Sequence, residues 1–123
     1  MRVVQNENTW FFDCDDTLVL WDERLQAGNP KITINDPHLD TLLELEPNYN
    51  NITLLKEKSM RGCHVVVWSQ GGWAWALAVV EALKLTTYVD CVMTKPAGVV
   101  DDLPVDKWMP VSFTMDAKKR YKS

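Results

Sequence analysis

Residues Trp10 to Leu18 read W-F-F-D-C-D-D-T-L, an apolar run that stops abruptly in acid. Such a run suits a buried parallel strand whose polar groups gather at its carboxyl end. Strand alternation aims Asp13 and Asp15 at one face, with Thr17 two positions further on. Two unit charges about 4 Å apart repel by about 4 kcal/mol at an effective dielectric of 20. That is a sizeable share of a small domain's stability. The fold must bring a compensating group to this strand end, or the chemistry must use the charge.

The rest of the chain supplies strands and helices to surround it. Leu18 to Leu20 and Ile32 to Ile34 are short strand-like pieces on either side of Gly28-Asn29-Pro30, and they are compatible with a hairpin. Leu43 to Glu46 alternates before Pro47 and reads equally as strand or helical turn. A helix is expected from Asn50 through Arg61, with Ile52, Leu55 and Ser59 inward and Gly62 as its stop. Val65 to Trp68 is a β-branched run ending at Ser69, the pattern of a central strand covered on both faces. After Gly71-Gly72, positions Trp73, Ala76, Leu77, Val80 and Leu83 recur at helical spacing. Tyr88 to Met93, Val99-Val100 and Val111 to Phe113 read as third, fourth and fifth strands. Strand and helix in alternation imply an α/β domain with a parallel sheet and right-handed crossovers.

At 123 residues and 46% apolar composition the chain has material for one core. A single domain over 1–115 with a basic tail over 116–123 is expected. The net charge of −4 argues against general attraction to nucleic acid or anionic membrane. No run reaches the roughly 18 apolar residues of a membrane span, and the N-terminus lacks a signal-peptide core. Cys14, Cys63 and Cys91 are an odd set without metal-site spacing, which points to reduced thiols and a cytoplasmic setting. Asn51-Ile52-Thr53 matches the glycosylation pattern only formally, since Asn51 reads as a helix-start residue.

If the sheet forms, four strand ends converge: Asp13 with Asp15, then Ser69, then Lys95, then Asp101 with Asp102. Each has a plain role alone, Ser69 as a cap and Asp101-Asp102 as turn formers before Pro104. Together they suit phosphoryl transfer. Oxygen ligands select a hard cation such as Mg²⁺, and Lys95 adds positive charge. One carboxylate can attack phosphorus and a second can serve as general acid and base. Ser69 and the backbone N–H groups around Gln70, Gly71 and Gly72 offer an anion site at a helix start.

The motifs D-C-D-D-T, V-V-V-W-S, T-K-P and V-V-D-D occur in an order that resembles the haloacid dehalogenase (HAD) superfamily of phosphohydrolases. The resemblance implies a Rossmann-like sheet of about five strands in the order 5-4-1-2-3, helices on both faces and a flap hairpin over about 18–46. It implies Asp13 as nucleophile and Mg²⁺ ligand, and Asp15 as general acid and base with its carbonyl on the metal. Thr17 would support that loop, and Ser69, Gln70 and Gly71 would bind the phosphoryl oxygens. Lys95 would pair with nucleophile and phosphate, and Asp101 and Asp102 would complete the metal site. No full cap domain fits between the motifs. The short spacing is similar to capless members, including phosphatase domains of polynucleotide kinases and small phage-encoded proteins. A nucleotide or polynucleotide phosphate is the first expected substrate, and a small metabolite phosphate the second. A homodimer that closes the open site is a further expectation.

Two other acidic designs fit less well. A calcium loop starting at Asp13 has Leu18 where glycine is needed and Arg24 where the final Glu belongs. A receiver domain places its paired acids first in sequence, whereas here Asp101-Asp102 comes last. A phosphate- or partner-binding module without useful turnover stays open beside the enzyme. Core packing accounts for Trp10, Trp68 and Trp73. Trp21, Trp75 and Trp108 are less constrained, and Trp21 either borders the substrate entrance or packs within the hairpin. His38 and His64 have no ligand spacing.

Overall fold

The computed structural model describes residues 1–21, 25–109 and 113. The chain runs β1 (Thr9–Asp13), β2 (Val19–Leu20), β3 (Ile32–Asp36), β4 (Thr41–Pro47), α1 (Tyr49–Met60), β5 (His64–Ser69), α2 (Trp73–Ala82), β6 (Cys91–Thr94) and α3 (Val105–Trp108). Both long helices are bounded by special backbone. Gly62 adopts φ 86° just past α1, and Gly72 adopts φ 103° just before α2, conformations in which a Cβ would be strained. Lys84 takes the left-handed role after α2 with φ 57°, and Leu85 N–H then reaches back to the Val80 carbonyl at 2.9 Å.

Three strands form a parallel sheet in the order β1-β5-β6, with Asp13 opposite Trp68 and Ser69 opposite Thr94. This overturns the expected five-stranded 5-4-1-2-3 sheet. Val99 and Val100 are exposed and not in a strand, because Gly98 and Pro96 flank a pair too short to hold a ladder. Of the expected fifth strand, Val111 and Ser112 lie outside the described residues, as does the basic tail. Strand β1, expected at the sheet's centre, is therefore its edge among the described residues.

The expectation of helices on both faces also fails. Phe12, Val65 and Val67 share one core with Ile52 and Leu55 of α1 and Trp75, Ala76, Val79 and Val80 of α2. Two right-handed crossovers that progress in the same direction must pack on the same face. The opposite face carries Phe11 against Trp68, with ring centroids 4.3 Å apart. On α2 the inward stripe is also shifted. Trp73 is 60% exposed and Leu77 faces solvent, while Trp75 is buried.

The flap is a separate antiparallel sheet in the order β2-β4-β3. Its first two pieces do not pair with each other, as a hairpin would require; both pair with β4, which resolves Leu43 to Glu46 as strand. Leu18, Val19, Ile34 and Leu45 join the main core. At the hairpin tip, His38 Nε2 donates to the Gly71 carbonyl at 3.0 Å. The flap is thus packed in place. Among the described residues no helix is long and apolar enough to cross a membrane.

Candidate active site

Parallel register brings the ends of β1, β5 and β6 level, and the Lys95 N–H donates to the Ser69 carbonyl at 2.9 Å. Lys95 Nζ then lies 3.2 Å from Asp13 Oδ1, with the two side chains 31% and 29% exposed. The compensating cation that the acidic strand end demanded is this ammonium. Thr17 Oγ1 donates to the other oxygen, Asp13 Oδ2, at 3.2 Å.

Thr17 reaches back because the chain leaves the strand in a tight turn. The Cys14 carbonyl accepts the N–H groups of Thr17, Leu18 and Val19 at 3.2, 2.9 and 3.1 Å, and Asp16 sits at φ 57°. Helix α1 fixes this turn from below. Asn48 and Asn51, both buried, each donate Nδ2 to the Thr17 carbonyl at 2.9 Å. Sequence reasoning missed this pair. Its signal was Asn51 lying on the inward stripe beside Ile52 and Leu55, where a polar side chain needs a partner.

The turn also separates the two acids. Asp15 Oδ1 accepts two indole N–H groups, Trp21 Nε1 at 2.7 Å and Trp75 Nε1 at 3.1 Å. Ser69 Oγ lies 3.5 Å from Asp15 Oδ2. Asp13 and Asp15 share none of these partners, so strand alternation does not carry past Asp13. One anion is balanced by a cation and the other by neutral donors. Trp21 and Trp75 are functional candidates that sequence reasoning left undecided; an indole N–H near an acid was the available signal. Cys14 is buried between the acids. Burial first, then the Asp15 and Asp13 charges, push its thiol pKa well above the usual range.

Other expected site residues are placed differently. Ser69 is fully buried, and its hydroxyl accepts the Gly71 N–H at 3.0 Å. The Gly72 N–H goes to the Ser69 carbonyl at 3.2 Å, and the Trp73 N–H to Thr94 Oγ1 at 3.0 Å. The N–H groups of Gly71 and Gly72, expected to cradle an anion, are thus engaged within the loop, while Gln70 is exposed. A Cβ on Gly71 would meet Ser69 Oγ at 3.3 Å.

Asp101 and Asp102 are exposed. Asp101 accepts the Leu103 N–H at 3.0 Å, and that bond, with help from Asp102, holds its carboxyl below the usual range. Among the described residues no three His, Cys, Asp or Glu side chains come together where they could hold a metal ion. The acidic quartet expected around Mg²⁺ is therefore not assembled among the described residues.

A cleft of about 610 Å³ opens beside the ion pair, with Asp13, Thr17 and Lys95 in its wall next to Phe11, Trp68 and Trp108. The chain matches no family model, no curated protein and no solved structure.

Proposed function

We propose that the protein hydrolyses phosphomonoesters through an aspartyl-phosphate intermediate, with Asp13 as nucleophile. One observation carries the reading: a partly open carboxylate at a strand's carboxyl end, bracketed by an ammonium at 3.2 Å and a hydroxyl at 3.2 Å. Lys95 offsets the repulsion between a carboxylate and an incoming phosphate dianion, and Thr17 holds the orientation of the carboxylate through Oδ2. The motif order that resembles HAD phosphohydrolases supports the same assignment.

In the first step an Asp13 oxygen forms a bond to phosphorus as the bond to the ester oxygen breaks, and Asp15 relays a proton to that oxygen. In the second, water attacks phosphorus, Asp15 takes a proton from it, and the P–O bond to Asp13 breaks. Asp13 is regenerated and inorganic phosphate leaves. Nucleotide and polynucleotide phosphates are the first substrates to test, followed by small metabolite phosphates.

A second reading has an observation of its own. The engaged N–H groups of Gly71 and Gly72 and the outlying Asp101 and Asp102 suit a phosphate- or partner-binding module with little turnover. An aryl phosphate assay, run with and without added Mg²⁺, separates the two. The hydrolase reading expects Asp13→Asn to abolish a measurable wild-type rate and beryllium fluoride to be trapped only by wild type. Equal rates in the two proteins defeat it.

A further inference from the structure

We infer that the cleft beside Asp13 receives a small phosphomonoester carrying a flat aromatic group, a nucleoside or aryl monophosphate, in preference to a polynucleotide end or an aliphatic ester. The inference rests on the hydrolase reading and narrows its substrate class. Phe11 and Asp13 alternate onto one face of β1, and Trp68 stands opposite Asp13 in register. Adjacent strands lie about 4.8 Å apart, so an aromatic surface begins one strand's width from the nucleophile. Phe11 is 42% exposed although it is apolar, and its ring meets Trp68 at 4.3 Å. Trp10 is not part of that platform, because Lys58 Nζ sits 4.1 Å over its ring and Phe113 stacks on it at 6.1 Å.

Size and charge narrow the class further. The cleft volume of about 610 Å³ lies inside the range of about 300–1,000 Å³ typical of small-molecule sites. Among its described lining residues Lys95 is the one cation, while Asp13 and Glu7 are acidic. One ammonium serves one phosphoryl group. A polynucleotide end would bring further phosphodiesters against a wall whose described residues hold no second basic partner, the opposite of the usual positively charged strand groove. An aliphatic ester would leave Phe11 and Trp68 uncovered.

The test compares kcat/KM for adenosine 5′-monophosphate, 4-nitrophenyl phosphate, glycerol 3-phosphate and a 5′-phosphorylated oligonucleotide. Tryptophan fluorescence titrated with phosphate-free adenosine gives a readout independent of turnover. The two aromatic monophosphates are expected to exceed glycerol phosphate at least about tenfold, and their ranking separates a nucleoside source from an aryl one. Phe11→Leu and Trp68→Leu should each shrink that ratio at least about fivefold, the lower end of what one stacked ring contributes. Equal values for aromatic and aliphatic esters, or preference for the oligonucleotide, overturn the inference and leave the hydrolase reading intact. If no ester is turned over, the hydrolase reading fails instead. Saturable quenching by adenosine then still supports an aromatic site, and its absence overturns it.

Discussion

Removing one indole donor from Asp15 should have a measurable and charge-dependent cost. A hydrogen bond to an ionised group contributes about 1.5–3 kcal/mol net. Trp21 Nε1 makes such a bond at 2.7 Å, but the residue is 45% exposed, so water competes and about 1.5 kcal/mol is expected for Trp21→Phe. An ionised acceptor roughly doubles the strength of a bond. In an Asp15→Asn background the remaining amide oxygen still accepts, and the same substitution should then cost about 0.7 kcal/mol. The coupling is the difference, about 0.8 kcal/mol, readable by urea unfolding followed by circular dichroism. Trp75→Phe should cost more, because Trp75 is 6% exposed and no water replaces its donor. Additivity of Trp21→Phe and Asp15→Asn to within about 0.3 kcal/mol would refute the idea that the indole holds the carboxylate.

Lys95→Met should lower kcat/KM for an aryl phosphate at least about a hundredfold, yet cost only about 1 kcal/mol of stability, since water screens a pair exposed to this degree; an unchanged rate contradicts the role given to Lys95. Cys14 gives a pH signature. Its folded pKa is raised from an ordinary 9.0, so above that pH the unfolded chain has lost a proton that the folded one keeps. Stability should therefore fall by up to about 1.4 kcal/mol per pH unit above pH 9, and urea midpoints of Cys14→Ala should lose that slope. Iodoacetamide should label the partly exposed Cys91 before the buried Cys14 and Cys63, as mass spectrometry of timed samples would show. Gly72→Ala should destabilise by at least about 1 kcal/mol in urea melts, because alanine is strained at φ 103°.

Much of the framework was legible because it rests on local pattern. The acid-ended β1, the β-branched β5 and the stop at Gly62 lie where their residues point. Strand-end convergence placed Asp13 and Lys95 in one region, and the family resemblance implied their pairing. Helix α2 was read in the wrong phase for a physical reason: Trp73, Trp75, Ala76, Leu77, Val79 and Val80 make it apolar nearly all round. Its orientation is then set by a distant acceptor, since Trp75 must turn inward to reach Asp15. Val99-Val100 misled because β-branched residues make a strand only with a neighbour to pair with, and the described residues provide none. The cradle at Gly71 and Gly72 misled because free N–H groups at a helix start are also free to bond the chain itself, here Ser69.

The turn after β1 explains how one strand end carries two acids with a single cation among their described partners. On a straight strand, Asp13 and Asp15 would sit about 6.6 Å apart on one face and repel by about 2.5 kcal/mol at a dielectric of 20. The bend at Cys14 breaks that alternation and assigns each carboxylate its own donors. Asp13 keeps the Lys95 ammonium and part of its solvent exposure, the condition a nucleophile needs. Asp15 is clamped by two rings, a condition that favours a fixed proton carrier or a structural anchor and disfavours a second nucleophile. The clamp and the turn have separate supports: Asn48, the N-cap of α1, and Asn51 within it hold the Thr17 carbonyl, while Trp21 and Trp75 come from just past β2 and from α2. Perturbing α1 should therefore reach Asp13 through Thr17 and leave Asp15 in place. The two acids have distinct surroundings because distinct parts of the fold hold them.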